Sequence, residues 1–128
     1  MDKQNVINYW LQSAQNDLET AQSLVELQKY SWALFIYQLV LEKNLKTRIV
    51  QVTDQAAPIT HDLVKLAHLA QLEVSQEQID NLKTISKFNI DARYDDYKYA
   101  FFKQADQKYA NKWVKIITDL LSWLKQQN

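Results

Sequence analysis

Apolar residues at Val6, Trp10, Leu11, Ala14, Leu18, Ala21, Leu24 and Val25 recur at three- and four-residue intervals. That spacing marks one stripe of an amphipathic helix, running over about 4–28. Three later starts share a signature. Ser31, Thr60 and Ser75 are residue types that cap helix N-termini. Each follows an apolar residue (Tyr30, Ile59, Val74), and another stands four positions after it (Phe35, Val64, Ile79). This is the spacing of a hydrophobic staple, and Ser75 with Gln78 adds a capping box. The pattern predicts helices over about 32–52, 61–70 and 76–90. A final helix over about 106–125 carries Tyr109, Trp113, Ile116, Ile117, Leu120, Leu121 and Leu124 on one face.

The run from Trp32 to Leu41 is apolar almost all round. Such a helix is buried on most sides or lies in a subunit interface. The stretch 53–59, with Pro58, reads as a loop. Between 91 and 103 the chain is polar and aromatic, with Tyr94, Tyr97, Tyr99, Phe101 and Phe102 and no clear period; it reads as a loop or an irregular helix end. No repeat, low-complexity run or interdomain linker interrupts the sequence. Its length suits one domain spanning 1–128.

Composition sharpens this picture. The chain contains no glycine and a single proline, where average usage would give about nine glycines. Glycine-rich phosphate loops are thereby excluded, and tight hairpins lose their preferred residue. An all-α fold follows. There is no cysteine, so disulfides and thiolate metal sites are absent, as in a reducing, cytoplasmic setting. The first residues, Met1-Asp2-Lys3-Gln4-Asn5, have no signal-peptide core. No apolar run reaches the ~18 residues of a membrane span. Net charge is zero, which predicts no bulk attraction to nucleic acid or membrane. The charge is nevertheless uneven: from 98 to 125, six lysines face two aspartates, or +4. Lysines that merely solvate a helix account for this more simply than a phosphate-facing surface.

Few residues offer chemistry. Glu42 and Lys46 stand one helical turn apart in the favourable order, with Gln38 one turn earlier. A surface ion pair is the simpler reading and a polar patch lining a cleft the sharper one. His61 and His68 are the only histidines. Seven residues apart on one helix, they would sit too far apart to share a metal, and no metal site or cofactor is expected. Arg93 lies in Asp91-Ala92-Arg93-Tyr94-Asp95-Asp96-Tyr97. A guanidinium among phenol rings and carboxylates suits holding a phosphate, or an Arg–Asp pair that locks the loop. No Ser-His-Asp set is readable, and the adjacent Asp95 and Asp96 are weak evidence for acid–base work.

Four short motifs occur in order. They are Ala14-Gln15-Asn16-Asp17-Leu18-Glu19-Thr20-Ala21, Glu42-Lys43-Asn44-Leu45-Lys46, Thr60-His61-Asp62-Leu63 and Ala92-Arg93-Tyr94. Together they resemble the prokaryotic HEPN domain family over nearly the whole chain. The resemblance implies an up-and-down four-helix bundle with an additional short helix, dimeric, with a cleft near the dimer interface. It also implies RNA cleavage, or pairing with a small nucleotidyltransferase in toxin–antitoxin systems. Cleaving members carry R-x(4–6)-H with a polar residue after the arginine. Arg93 matches that arginine, but Tyr94 follows it and no histidine occurs after His68. The expected protein is therefore a non-catalytic homodimer that binds a nucleotide or RNA phosphate through Arg93, Glu42, Lys46 and Tyr94, or docks a nucleotidyltransferase. The alternatives are a metal-independent ribonuclease toxin using Arg93 with His61 as a displaced histidine, and a purely structural interaction protein.

Overall fold

The computed structural model describes residues 2–128. Among them the chain forms α1 (Lys3–Glu26), α2 (Tyr30–Thr53), α3 (Leu63–Leu69), α4 (Gln76–Asp91), α5 (Asp95–Gln104) and α6 (Gln107–Lys125). The four long helices α1, α2, α4 and α6 make the up-and-down bundle, and α3 and α5 are short additions.

The all-round apolar character of α2 has a direct cause: α1, α3, α4, α5 and α6 all pack against it. Its Leu34, Tyr37, Leu41, Leu45 and Ile49 join Leu63 and Leu66 of α3, Leu82 and Ile85 of α4 and Ile117 of α6 in one core. At one end Phe88 of α4 is the hub of an aromatic cluster. Its ring centroid lies 5.4 Å from that of Phe101 on α5 and 5.7 Å from that of Trp113 on α6. Buried indole N–H groups ordinarily find an acceptor, but Trp113 Nε1 has none among the described residues.

Several helix starts differ from the sequence reading. The capping box at Ser75 forms as expected, with Gln78 closing it. Ser31, by contrast, is buried within the first turn of α2, whose N-cap is Lys29 with no side-chain bond. The turn before it is fixed by backbone instead: Gln28 is left-handed, and the Lys29 amide donates to the Leu24 carbonyl. At α3 the cap is Asp62, whose carboxylate accepts from the Val64 and Lys65 amides. The Thr60 hydroxyl accepts from the Asp62 amide two residues on. Aspartate outcompeted the threonine because its carboxylate reaches two donors at once.

The stretch expected as a loop or irregular end contains α5, so the bundle carries two short helices rather than one. Asp95 and Asp96 in its first turn and Lys103 in its last complement the helix dipole. Only Phe101 is buried on α5. Tyr94, Tyr97, Tyr99 and Phe102 around it are exposed, and their exposure hid the helical period.

The missing glycines leave a visible trace. Among the described residues three positions adopt left-handed backbone, and they are filled by Gln28 (φ 61°), Asp54 (φ 57°) and Gln71 (φ 59°). Each lies at or just past the end of a helix, where glycine is usual. Among the described residues no helix is long and apolar enough to cross a membrane.

Candidate functional site

An unbroken hydrogen-bonded chain of side chains crosses the bundle between α4 and α2 (Arg93, Asn89, Gln38, Glu42) and ends on Lys46 and His61. Arg93 sits just past the end of α4. Its Nε donates to the Asn89 carbonyl at 2.7 Å, and its Nη2 donates to the Asn89 side-chain oxygen. Asn89 Nδ2 donates to Gln38 Oε1 at 2.8 Å, and Gln38 Nε2 donates to Glu42 Oε1 at 3.1 Å. Lys46 Nζ donates to Glu42 Oε2 at 3.1 Å, and His61 Nδ1 lies 2.8 Å from Glu42 Oε1. The middle of this chain is dry: Gln38 is 0% and Asn89 1% exposed. Two of its ends reach water, with Arg93 exposed and the His61 side chain 53% exposed, while Lys46 stays buried.

Helical geometry explains the assembly. Gln38, Glu42 and Lys46 occupy successive turns of one face of α2; Asn89 lies in the last turn of α4 that packs on it, and Arg93 follows four residues on, just past the helix end. Burying polar groups costs several kcal/mol unless they are paired. Here each finds a partner, and Glu42 accepts three hydrogen bonds. The reading of Glu42–Lys46 as a surface ion pair is overturned, because the two side chains are 5% and 8% exposed. The wet-face alternative fails because α2 is covered on nearly every side.

The Arg93 guanidinium is held flat. Its carbon lies 5.3 Å from the ring centroids of both Phe35 and Tyr94. One edge of the fork is committed to Asn89. The other carries N–H groups with no protein acceptor among the described residues. The loop-locking Arg–Asp pair does not form: Asp95 and Asp96 complement the dipole of α5 instead. Tyr94 is the N-cap residue of that helix and is 54% exposed.

At the other end, a carboxylate can only accept, so Glu42 assigns the hydrogen to His61 Nδ1. In the neutral ring Nε2 is then the acceptor, the arrangement in which a carboxylate orients an imidazole for proton transfer. The Lys46 ammonium lies 5.3 Å from the Trp10 ring centroid. His61 precedes α3 and His68 lies within it, so the two histidines do not share a helix as expected.

The structure thus joins Glu42, Lys46 and His61 directly and ties Arg93 to them through two amides. Asn89 and Phe35 were not legible as site residues. Asn89 reads as an ordinary polar position, and the only available signal was its place one turn before Arg93. The motif residues outside the chain also have a visible task. Lys43 Nζ reaches Asp17 at 2.5 Å and Ser13 at 2.7 Å, clamping α2 to α1.

No curated protein matches the chain in sequence. Among solved structures, that of TT1696 from Thermus thermophilus superposes with a TM-score of 0.77 at 25% identity, covering 94% of this chain and 96% of that one. The HEPN domain model matches residues 7–127. With the helical order, the bundle and this match in agreement, the chain belongs to the HEPN domain family.

Proposed function

We propose that this protein is a non-catalytic, homodimeric module that binds the phosphate of a nucleotide or RNA, with Arg93 as the anion contact. In place of that ligand, the module would dock a nucleotidyltransferase partner in a toxin–antitoxin-like pair. The observation that carries the phosphate reading is the half-committed guanidinium. Asn89 and two rings fix its plane, and its open edge matches the bidentate geometry of a phosphate. Glu42 and Lys46 act beneath it as the buried anchor of the chain, and Tyr94 walls the guanidinium.

Hydrogen bonds to charged groups contribute about 1.5–3 kcal/mol. Arg93→Ala is therefore expected to weaken binding of a short 5′-phosphorylated RNA or of ATP at least about tenfold, measured by fluorescence anisotropy or calorimetry. Arg93→Lys, which keeps charge but loses the fork, recovers part of that loss. Equal affinity in all three proteins would refute the reading. The dimer is tested by sedimentation at micromolar concentration, where a monomer would refute that part.

A second reading, a metal-independent ribonuclease, draws on the Glu42–His61 contact. An oriented imidazole with a free Nε2 could take the proton of a ribose 2′-hydroxyl. The hydroxyl oxygen would then attack phosphorus and the 5′-oxygen would leave as the acceptor of a returned proton. Cleavage of total RNA without divalent ions, lost in both His61→Ala and Arg93→Ala, would establish this reading and replace the first.

A further inference from the structure

We infer that the cleft between the start of α2 and α5 is a stacking site for a nucleobase, placed beside the phosphate contact at Arg93. For its anionic half the inference rests on the phosphate reading above.

Four observations converge. The cleft is about 370 Å³ and is lined by Ser31, Trp32, Asp95, Lys98, Tyr99 and Phe102. Its rings are open to solvent, with Trp32 37%, Tyr99 62% and Phe102 68% exposed. Three large rings thus open toward one cleft rather than lying scattered singly over the surface. As a platform they suit a planar heteroaromatic ring, which stacks on them whatever its sequence identity.

Cations already sit on these rings. Lys98 Nζ lies 5.0 Å from the Trp32 centroid and Lys103 Nζ lies 4.6 Å from that of Tyr99. A base entering the cleft displaces Lys98 from the indole, and the ammonium then meets the phosphate that the base brings with it. This complementarity selects a planar ring that brings a phosphate with it rather than a ring without one or a cationic ring.

The cleft is also continuous with Arg93. The Trp32 and Phe35 rings meet edge to face at 6.1 Å, and the Phe35 ring lies 5.3 Å from the guanidinium. Base and phosphate sites therefore share one aromatic wall. Within the cleft, the Asp95 carboxylate can accept from an exocyclic amino group and the Ser31 hydroxyl can donate or accept, so the edge of the base has partners as well as its face.

The test separates ring from phosphate. The probes are an oligoadenylate and an abasic sugar–phosphate strand of equal length, titrated into wild type, Trp32→Leu, Trp32→Phe and Arg93→Ala, with AMP as a third probe. Wild type is expected to bind the oligoadenylate about tenfold or more over the abasic strand. Trp32→Leu closes that gap, Trp32→Phe restores it, and Arg93→Ala weakens both strands together. AMP binding as tightly as the oligomer assigns the site to a single nucleotide, and weaker AMP binding assigns it to a strand. Equal binding of the two strands by wild type, lost in Arg93→Ala, would overturn the stacking site and leave the phosphate reading standing. A base-dependent gap in wild type, with Arg93→Ala binding both strands as tightly as wild type does, would do the reverse. Failure of every probe to bind would overturn both.

Discussion

Replacing Glu42 by glutamine keeps the shape of the side chain and removes its charge. The wild-type carboxylate holds three donors: Gln38 Nε2 at 3.1 Å, Lys46 Nζ at 3.1 Å and His61 Nδ1 at 2.8 Å. A glutamine offers one carbonyl and one amino group in their place. If the carbonyl faces Lys46, the amino group meets the donor of Gln38. If it faces Gln38, the amino group meets an ammonium. Either way a buried donor is orphaned. Breaking one partner of a buried ion pair costs about 3–5 kcal/mol. The Lys46 side chain is 8% exposed, and its small opening to water favours the lower end. For a domain of this size, about 3 kcal/mol lowers Tm by roughly 10 °C. The control is Asp119→Asn at the exposed Lys115–Asp119 pair, whose side chains are 77% and 66% exposed. That pair contributes well under about 1 kcal/mol. Thermal and urea unfolding followed by circular dichroism would measure both. Equal Tm shifts in the two variants would refute the claim that the Glu42 site is an anchor for the chain of side chains.

Asp91 ends α4, and burial raises its pKa above the ordinary 3.8, with Lys87 partly opposing the rise. A folded-state value above the unfolded one means that the native state holds more protons in that window, so stability falls as pH rises through it. Asp91→Asn is accordingly more stable than wild type at neutral pH, and the difference fades as pH falls below the carboxylate range; a constant difference across acid and neutral pH would contradict this. Phe88→Ala empties the hub of the aromatic cluster, where Phe88 is 1% exposed, and is expected to cost about 3–5 kcal/mol. Since Phe101 is the buried anchor of α5, amide exchange in α5 should rise first, and unchanged protection there would show that something else holds the helix.

Much of the bundle was readable because long helices advertise themselves by period. The stripe on α6 and the capping box of α4 appear where the sequence places them. What failed was short and local. Two of three matching helix starts shifted: a neighbouring aspartate captured the amides of α3, and a left-handed Gln28 set α2 by backbone geometry alone. Staple spacing cannot distinguish these cases, since it records which rings pack and not which oxygen reaches an amide. The site was half legible. Arg93, Glu42, Lys46 and His61 stood out by type, but whether Glu42 was wet or dry depended on what packed against α2. The all-round apolar run ends at Leu41, so it could not show whether the cover extends over Glu42. Asn89 needed the tertiary fold, because its partner lies 51 residues away.

The two buried amides have one permitted orientation each. A guanidinium can only give hydrogens and a carboxylate can only take them, so the side chains between must all point the same way, oxygen toward Arg93 and nitrogen toward Glu42. Turning either amide over would set oxygen against oxygen or nitrogen against nitrogen. The interior is thus polarised along the line from Arg93 to Glu42, and the donor at one end dictates the same alignment that the acceptor at the other requires. With the two ends in agreement, a reversed Gln38 or Asn89 would lose hydrogen bonds on both of its sides.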